Sequence, residues 1–161
     1  MVKIISIANR KGGVGKTTTA VNIATAMAAI GKRVLILDMD PQGNATTCLG
    51  INKNKCLFST YDIMINNCKA EDAIVKTDIK KFDILPSAPA LAAAEIELID
   101  VNKREYVLKN ALNALSGKYD YILIDCPPSL NLITINALVS SDSVIVPLPV
   151  SYTHLRAHET R

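Results

Sequence analysis

The chain reads as an α/β protein built on a doubly wound, mostly parallel sheet. Three observations predict this. Short β-branched runs, Ile4–Ala8, Val34–Leu37 and Tyr121–Ile124, alternate with longer stretches of helical character. A glycine-rich turn, Gly12 to Gly15, separates the first apolar run from the first helical stretch. Two of the runs end in carboxylates, Asp38 and Asp125, and in open sheets of this class the carboxyl ends of the strands form the functional edge.

Val2 to Ala8 is short, apolar and rich in β-branched residues, as a buried strand requires. A loop follows, and then Thr19 to Ile30 is Ala-rich and helical, with small residues such as Val21, Ala24 and Ala28 suited to close packing on a sheet. Gly31 stops it. Lys32-Arg33 leads into Val34–Leu37, so the first 40 residues form a βαβ unit, expected to be parallel and right-handed. From Ile51 to Lys81 the chain reads as a connecting excursion with surface charges. Within it Ser59 is placed to cap a short helix through Ile65, and a turn is expected at Asp72–Lys76. Phe82–Leu85 is a short strand stopped by Pro86. Leu91–Leu98 and Arg104–Leu115 are helical, the second with Val107, Leu108, Ala111, Leu112 and Leu115 as a buried stripe. Glu95, Glu97, Lys103, Arg104 and Lys109 are expected to face solvent. Leu130–Val139 is a further helix and Ser143–Pro147 a further buried strand.

Strand, glycine loop and helix in succession are the setting of a phosphate-binding loop. In Arg10-Lys11-Gly12-Gly13-Val14-Gly15-Lys16-Thr17-Thr18, three glycines let several N–H groups turn inward as an anion nest. The helix behind adds its free N–H groups and positive dipole end. Gly12 to Thr18 are thus the expected phosphate contacts. Lys16 reaches the β/γ-phosphates and the Thr17 hydroxyl is placed to ligate Mg²⁺. The usual spacing puts glycine at position 10, where Arg10 stands, and a second lysine, Lys11, lies five residues before Lys16. This K-G-G-x-G-K-T-T pattern resembles the deviant Walker A motif of the ParA/MinD superfamily of P-loop ATPases.

Two further stretches carry the same resemblance. Asp38-Met39-Asp40-Pro41-Gln42-Gly43-Asn44-Ala45-Thr46 is similar to the second nucleotide motif in the form typical of ParA and Soj partition ATPases. By that resemblance Asp40 positions or activates the attacking water, and Asp38 supports the magnesium and the switch region. From the residues alone, the pair also fits turn carboxylates capping a helix near Thr46–Thr47. Asp125 ends an apolar strand, the Walker B arrangement, and is expected to bind Mg²⁺, often through water. The run Asp125-Cys126-Pro127-Pro128-Ser129-Leu130 again resembles ParA-type proteins, as do Leu85-Pro86-Ser87 and Ala94-Glu95-Ile96-Glu97-Leu98. Cys126 is expected to pack as a small hydrophobe.

The resemblance covers 1–149 and implies a P-loop NTPase fold, incomplete at its C-terminus. It implies Mg²⁺-dependent ATP binding and hydrolysis, with Lys16, Asp40 and Lys11 as catalytic residues. Lys11 would reach across an ATP sandwich homodimer to the nucleotide of the other subunit. Non-specific DNA binding through the missing C-terminal part and a ParB-type partner that stimulates hydrolysis follow from the same resemblance. So do chromosome or plasmid segregation and a cytoplasmic, nucleoid-associated location without membrane attachment. The alternative is a MinD-like membrane-associated positioning ATPase, against which the Pro41–Asn44 run argues. A relative of the nitrogenase iron protein would need cluster cysteines, and Cys48, Cys56, Cys68 and Cys126 show no such pattern.

Composition narrows the field further. Hydrophobic residues at 49% and charged residues at 20% are the balance of a soluble globular protein, and 161 residues suit one domain. A net charge of +3 is too weak to argue for nucleic acid unaided. No apolar run reaches the length of a membrane span, and because the N-terminus goes directly into a strand no signal peptide is expected. The cysteine spacing suits reduced thiols in the cytoplasm. Val150 to Thr160 resembles no part of the family and matches a translated transposase-type sequencing adapter. Residues 150–161 are therefore read as a non-native tail, and 1–149 as the N-terminal part of a ParA-type P-loop ATPase domain. His154 and His158 lie in that tail and receive no function. The body holds no histidine, and phosphoryl transfer needs water placement more than a strong base, so a carboxylate beside Mg²⁺ suffices. A chain ending there is expected to have an incomplete core and little activity.

Overall fold

The computed structural model describes residues 2–149. Its strands are β1 (Lys3–Ile7), β2 (Val34–Asp38), β3 (Val75–Lys76), β4 (Phe82–Leu85), β5 (Tyr121–Asp125) and β6 (Ser143–Ile145). They form one sheet in the order β3-β4-β2-β5-β1-β6. Every neighbouring pair is parallel except β3 with β4. The helices are α1 (Lys16–Ala29), α2 (Asn44–Cys48), α3 (Thr60–Met64), α4 (Ala94–Glu97), α5 (Val107–Leu112) and α6 (Leu132–Ser140). This is the expected α/β, mostly parallel, doubly wound architecture.

The strand sequences are apolar throughout because both faces of the sheet are covered. Side chains alternate between faces. Val34, Ile36, Ile84 and Leu123 pack with Ala20, Ala24 and Ala28 of α1 and Ala45 of α2. Leu35, Leu37, Leu85, Ile122 and Ile124 pack on the other face with Ile63, Leu91, Leu108, Leu112 and Ile133 from α3 to α6 and the segment before α4. The alanines of α1 recur every four residues, which lets the helix lie close on the strands and brings the end it shares with the glycine loop against the sheet edge.

Several local expectations change. β1 and β2 are parallel but not adjacent, because β5 is inserted between them and pairs with both. Val75–Lys76, expected as part of a turn, is the antiparallel edge strand β3. The helix expected over Leu91–Leu98 is a 3₁₀ segment, Pro89–Ala93, followed by the single turn α4. That over Arg104–Leu115 is α5 flanked by 3₁₀ turns at Arg104–Tyr106 and Asn113–Leu115. β6 is not buried: it pairs with β1 alone among the described strands, and Val144 is 46% exposed. Glu95 is half-buried rather than solvated, with Oε1 enclosed and without a partner among the described residues. The cap expected at Ser59 is present, its N–H donating to Asp62 Oδ2 at 2.8 Å. No described helix is long and apolar enough to cross a membrane.

A polar cluster, buried at Tyr119 and Asp83 and open to solvent at Lys76, ties down the edge strand. Tyr119, 7% exposed, donates its hydroxyl to Asp83 Oδ2 at 2.7 Å, and Lys76 of β3 donates to the same oxygen at 2.7 Å. Burial, then the Asp83 carboxylate, pushes the Tyr119 hydroxyl far above its ordinary value, so it stays a donor. Tyr119→Phe is expected to destabilise the domain by about 1–3 kcal/mol, the value of a buried hydrogen bond to a charged acceptor. Urea unfolding of the two proteins checks it, and an unchanged midpoint would show that the hydroxyl contributes nothing.

Candidate functional site

The loop after β1 turns at glycine. Gly15 precedes α1 with φ 85°, a left-handed conformation that a side chain resists, and Gly13 has φ 69°. Asn9 braces the loop from its start: Oδ1 accepts the Lys11 N–H at 2.9 Å and Nδ2 donates to the Pro147 carbonyl at 2.8 Å. The first turn of α1 carries no acidic residue and no side-chain cap, which leaves its N–H groups and dipole free for an anion. Lys16 is 7% exposed and folds back over the loop, its Nζ donating to the Lys11 carbonyl at 3.2 Å. Gly12, Gly13 and Gly15 have open space where a side chain would project. They border a cleft of about 440 Å³ that Lys16, Thr17 and Asp40 also line. A larger cavity of about 860 Å³, beside Cys68 and Asn110, contains no residue of the three motifs.

Sheet order assembles the carboxylates. Because β5 lies beside β2, Asp38 and Asp125 are register partners at the ends of adjacent strands. Thr17 donates its hydroxyl to Asp125 Oδ2 at 2.6 Å, and Asp125 Oδ1 is buried with no hydrogen-bond partner among the described residues. Burial, reinforced by the charges of Asp38 and Asp40 and opposed by the Thr17 hydrogen bond and Lys16, pushes the Asp125 carboxyl up to about 7. Asp38 is more fully engaged. Its Oδ1 accepts the Asp40 N–H at 3.2 Å, and its Oδ2 accepts the Thr46 N–H at 2.8 Å and hydroxyl at 2.7 Å. Burial raises its pKa while those donors draw it back. Asp40 faces the cleft with Oδ1 accepting the Gln42 N–H at 2.9 Å. The turn behind it needs glycine at Gly43, with φ 65°. The Lys53 stem lies across it, close enough to collide with any added Cβ, and Lys53 Nζ donates to the Gln42 carbonyl at 2.7 Å.

The donor set fits a magnesium ion carried with a polyphosphate. An orphaned carboxylate oxygen stands beside a hydroxyl, at the mouth of an anion-binding loop. Among the described residues no group of three or more His, Cys, Asp or Glu side chains forms a metal cage. Mg²⁺ keeps waters and takes phosphate oxygens with one or two carboxylates, and Asp125 with Thr17 supplies a carboxylate and a hydroxyl of that kind.

Lys16, Thr17, Thr18, Gly12, Gly13 and Gly15 come together at the cleft with Asp40, and Asp125 joins them through Thr17. Lys11 stands at the exposed rim, and its side chain makes no hydrogen bond or ion pair among the described residues. Cys126 is 1% exposed and its thiol is pushed up to about 12 by burial and the neighbouring Asp125, as befits a packing residue. The motif reading missed Asn9 and gave no role to Thr46 or Ser87, the polar residues that hold the two loops. Thr46 closes the second motif and Ser87 lies in the Leu85-Pro86-Ser87 resemblance, while nothing in the sequence pointed to Asn9. The tail 150–161 lies outside the described residues.

A glycine loop opening a helix, a lysine folded over it and a threonine paired with a strand-end aspartate define a P-loop nucleotide-binding domain. The family model described as AAA domain matches residues 2–158, and the chain belongs to that family. It is 53% identical over 152 residues to the sporulation initiation inhibitor protein Soj of Bacillus subtilis, covering 94% of this chain and 60% of Soj. It is 47% identical over 153 residues to the chromosome partitioning protein ParA of Caulobacter vibrioides, covering 94% of this chain and 57% of that protein. A crystal structure of cobyrinic acid a,c-diamide synthase from Mycobacterium smegmatis, with bound ATP analog and magnesium, matches it with a TM-score of 0.89 at 42% identity. That match covers 92% of this chain and 60% of the other. The ParA/Soj kinship expected from the three motifs is thus the kinship found, and the chain spans about 60% of the length of these relatives.

Proposed function

We propose that residues 1–149 are the N-terminal part of a Mg²⁺-dependent partition ATPase that binds and hydrolyses ATP and dimerises around it, with 150–161 as a non-native tail. The observation that carries the reading is the Thr17–Asp125 pair with its orphaned carboxylate oxygen, set against a glycine loop that Lys16 covers. Thr17 and Asp125 would hold Mg²⁺, supported from behind by Asp38, and the ion would neutralise charge on the phosphate oxygens. The loop N–H groups and Lys16 bind and orient the phosphates, and Asp40, on the cleft wall, orients the attacking water. Its carboxylate is held by the Gln42 N–H, so it needs little rearrangement to do so.

Lys11 has the properties of a residue that acts outside its own subunit. It is exposed at the cleft rim, and its side chain has no local partner among the described residues. In a sandwich dimer it reaches the nucleotide of the second copy, so ATP joins the subunits and hydrolysis releases them. Non-specific DNA, engaged through sequence beyond this part, and a ParB-type partner complete a segregation cycle in the cytoplasm at the nucleoid. The test is mass by light scattering on the complete gene product. Wild type is expected to double in mass with ATP and not with ADP, while Lys11→Ala stays monomeric with ATP bound. A Lys11→Ala protein that dimerises normally would refute the cross-subunit role.

A further inference from the structure

The loop that carries Asp40 is tied down at the Asp40 carbonyl by two hydrogen bonds. Its turn is closed by the Gly43 N–H, which donates to the Asp40 carbonyl at 2.8 Å. The second anchor comes from a distant part of the chain. Ser87, two residues beyond β4, is 1% exposed and donates its hydroxyl to the same Asp40 carbonyl at 2.6 Å. The Ser87 N–H donates to Thr46 Oγ1 at 3.1 Å, and that hydroxyl donates to Asp38 Oδ2 at 2.7 Å. The Asp40 N–H returns to Asp38 Oδ1 at 3.2 Å. Asp38, Thr46, Ser87 and Asp40 therefore form a closed ring of hydrogen bonds inside the protein. Thr60 braces it by donating its hydroxyl to the Asp38 carbonyl at 3.0 Å and its N–H to the Pro86 carbonyl at 2.8 Å.

We infer that Ser87 is a positioning residue for hydrolysis, with Thr46 as its link to Asp38. The Ser87 hydroxyl holds the Asp40 carbonyl and so sets the orientation of the peptide unit from which the Asp40 carboxylate is aimed into the cleft. Thr46 fixes the other end of the same loop. Buried hydroxyls suit this task, because each bond, once broken, leaves a polar atom with no water to replace its partner. Neither residue lines the phosphate cleft, so neither has a direct claim on nucleotide affinity. The inference rests on the hydrolytic reading given under the proposed function.

The test separates affinity from turnover in the complete gene product. Ser87→Ala is expected to keep its ATP Kd within about threefold and to lower kcat roughly ten- to a hundredfold, the usual cost of a misplaced reacting group. Thr46→Val is expected to give the same split, and Thr46→Ser, which keeps the hydroxyl, to restore turnover. In an Asp40→Ala background, Ser87→Ala is expected to change the residual single-turnover rate by no more than about twofold, because the group it positions is gone. Wild-type turnover in Ser87→Ala or Thr46→Val overturns the inference. So does a loss of affinity in proportion to turnover, or full additivity with Asp40→Ala, either of which marks a purely structural role. Should Ser87→Ala fail to fold, the comparison of Thr46→Val with Thr46→Ser decides. A wild-type protein that does not turn over ATP overturns the hydrolytic reading itself, and this inference with it.

Discussion

Lys16→Ala is expected to leave the fold intact and to remove nucleotide binding. Lys16 is the one lysine or arginine that is buried among the described residues, and with Gly12, Gly13 and Gly15 it lines the cleft. Truncating one member of a buried, hydrogen-bonded charge pair costs about 2–5 kcal/mol of binding, and the phosphate here is multiply charged. A loss of at least roughly thirtyfold in ATP affinity follows. Stability is expected to move the other way or not at all. Alanine is a good helix former at the start of α1, and the variant no longer buries an ammonium group. Titration with a fluorescent ATP analogue, alongside a thermal melt, separates the two. A variant with normal Tm and normal affinity would sink the phosphate-loop assignment.

Asp40→Ala is expected to behave in the opposite manner, with ATP bound and turnover lost. The carboxylate lines the cleft, yet its backbone is held by Ser87 and Gly43, so truncating the side chain leaves the loop in place. Loss of a group that orients or deprotonates the nucleophile costs about 10²–10⁴-fold in rate. With hydrolysis blocked, ATP is expected to hold the dimer, so phosphate release falls while the ATP-dependent mass doubles and persists. Normal phosphate release from this variant would remove Asp40 from the mechanism. Monomeric protein at saturating ATP would instead break the link between nucleotide and dimer.

Much of the site was legible because its chemistry is contiguous. Arg10 to Thr18 specify a turn, a positive backbone angle at Gly13 and Gly15, and a helix start within nine residues, and no distant contact is needed to recognise them. The same holds for Ser59 and its cap. Less legible were the elements without a periodicity of their own. β3 has two residues, too few to alternate. The two helical stretches expected over Leu91–Leu98 and Arg104–Leu115 are broken by 3₁₀ turns, which share the helix's apolar spacing too closely to be told from it in sequence. β6 has the composition of a central strand, and its exposure follows from its place at the edge of the sheet. The capping role considered for the Asp38–Asp40 pair is in part real, since Asp38 accepts the Thr46 N–H within α2. Capping and support of the site are served by the same carboxylate.

By itself the sequence determined the phosphate loop, the three motifs, the alternation of strands and helices, and through them the family. Those features depend on neighbours in the chain, whose φ angles, side-chain spacing and helix ends are set locally. Tertiary structure alone decided that β5 enters between β1 and β2, which sets Asp125 opposite Asp38 and within 2.6 Å of the Thr17 hydroxyl. It alone left Asp125 Oδ1 buried without a partner among the described residues and brought Ser87 onto the Asp40 carbonyl. The physical reason is separation along the chain. Thr17 and Asp125 are 108 residues apart and Ser87 and Asp40 are 47 apart. Contacts of that range are chosen by how the sheet buries its two faces, and no short stretch of sequence encodes them.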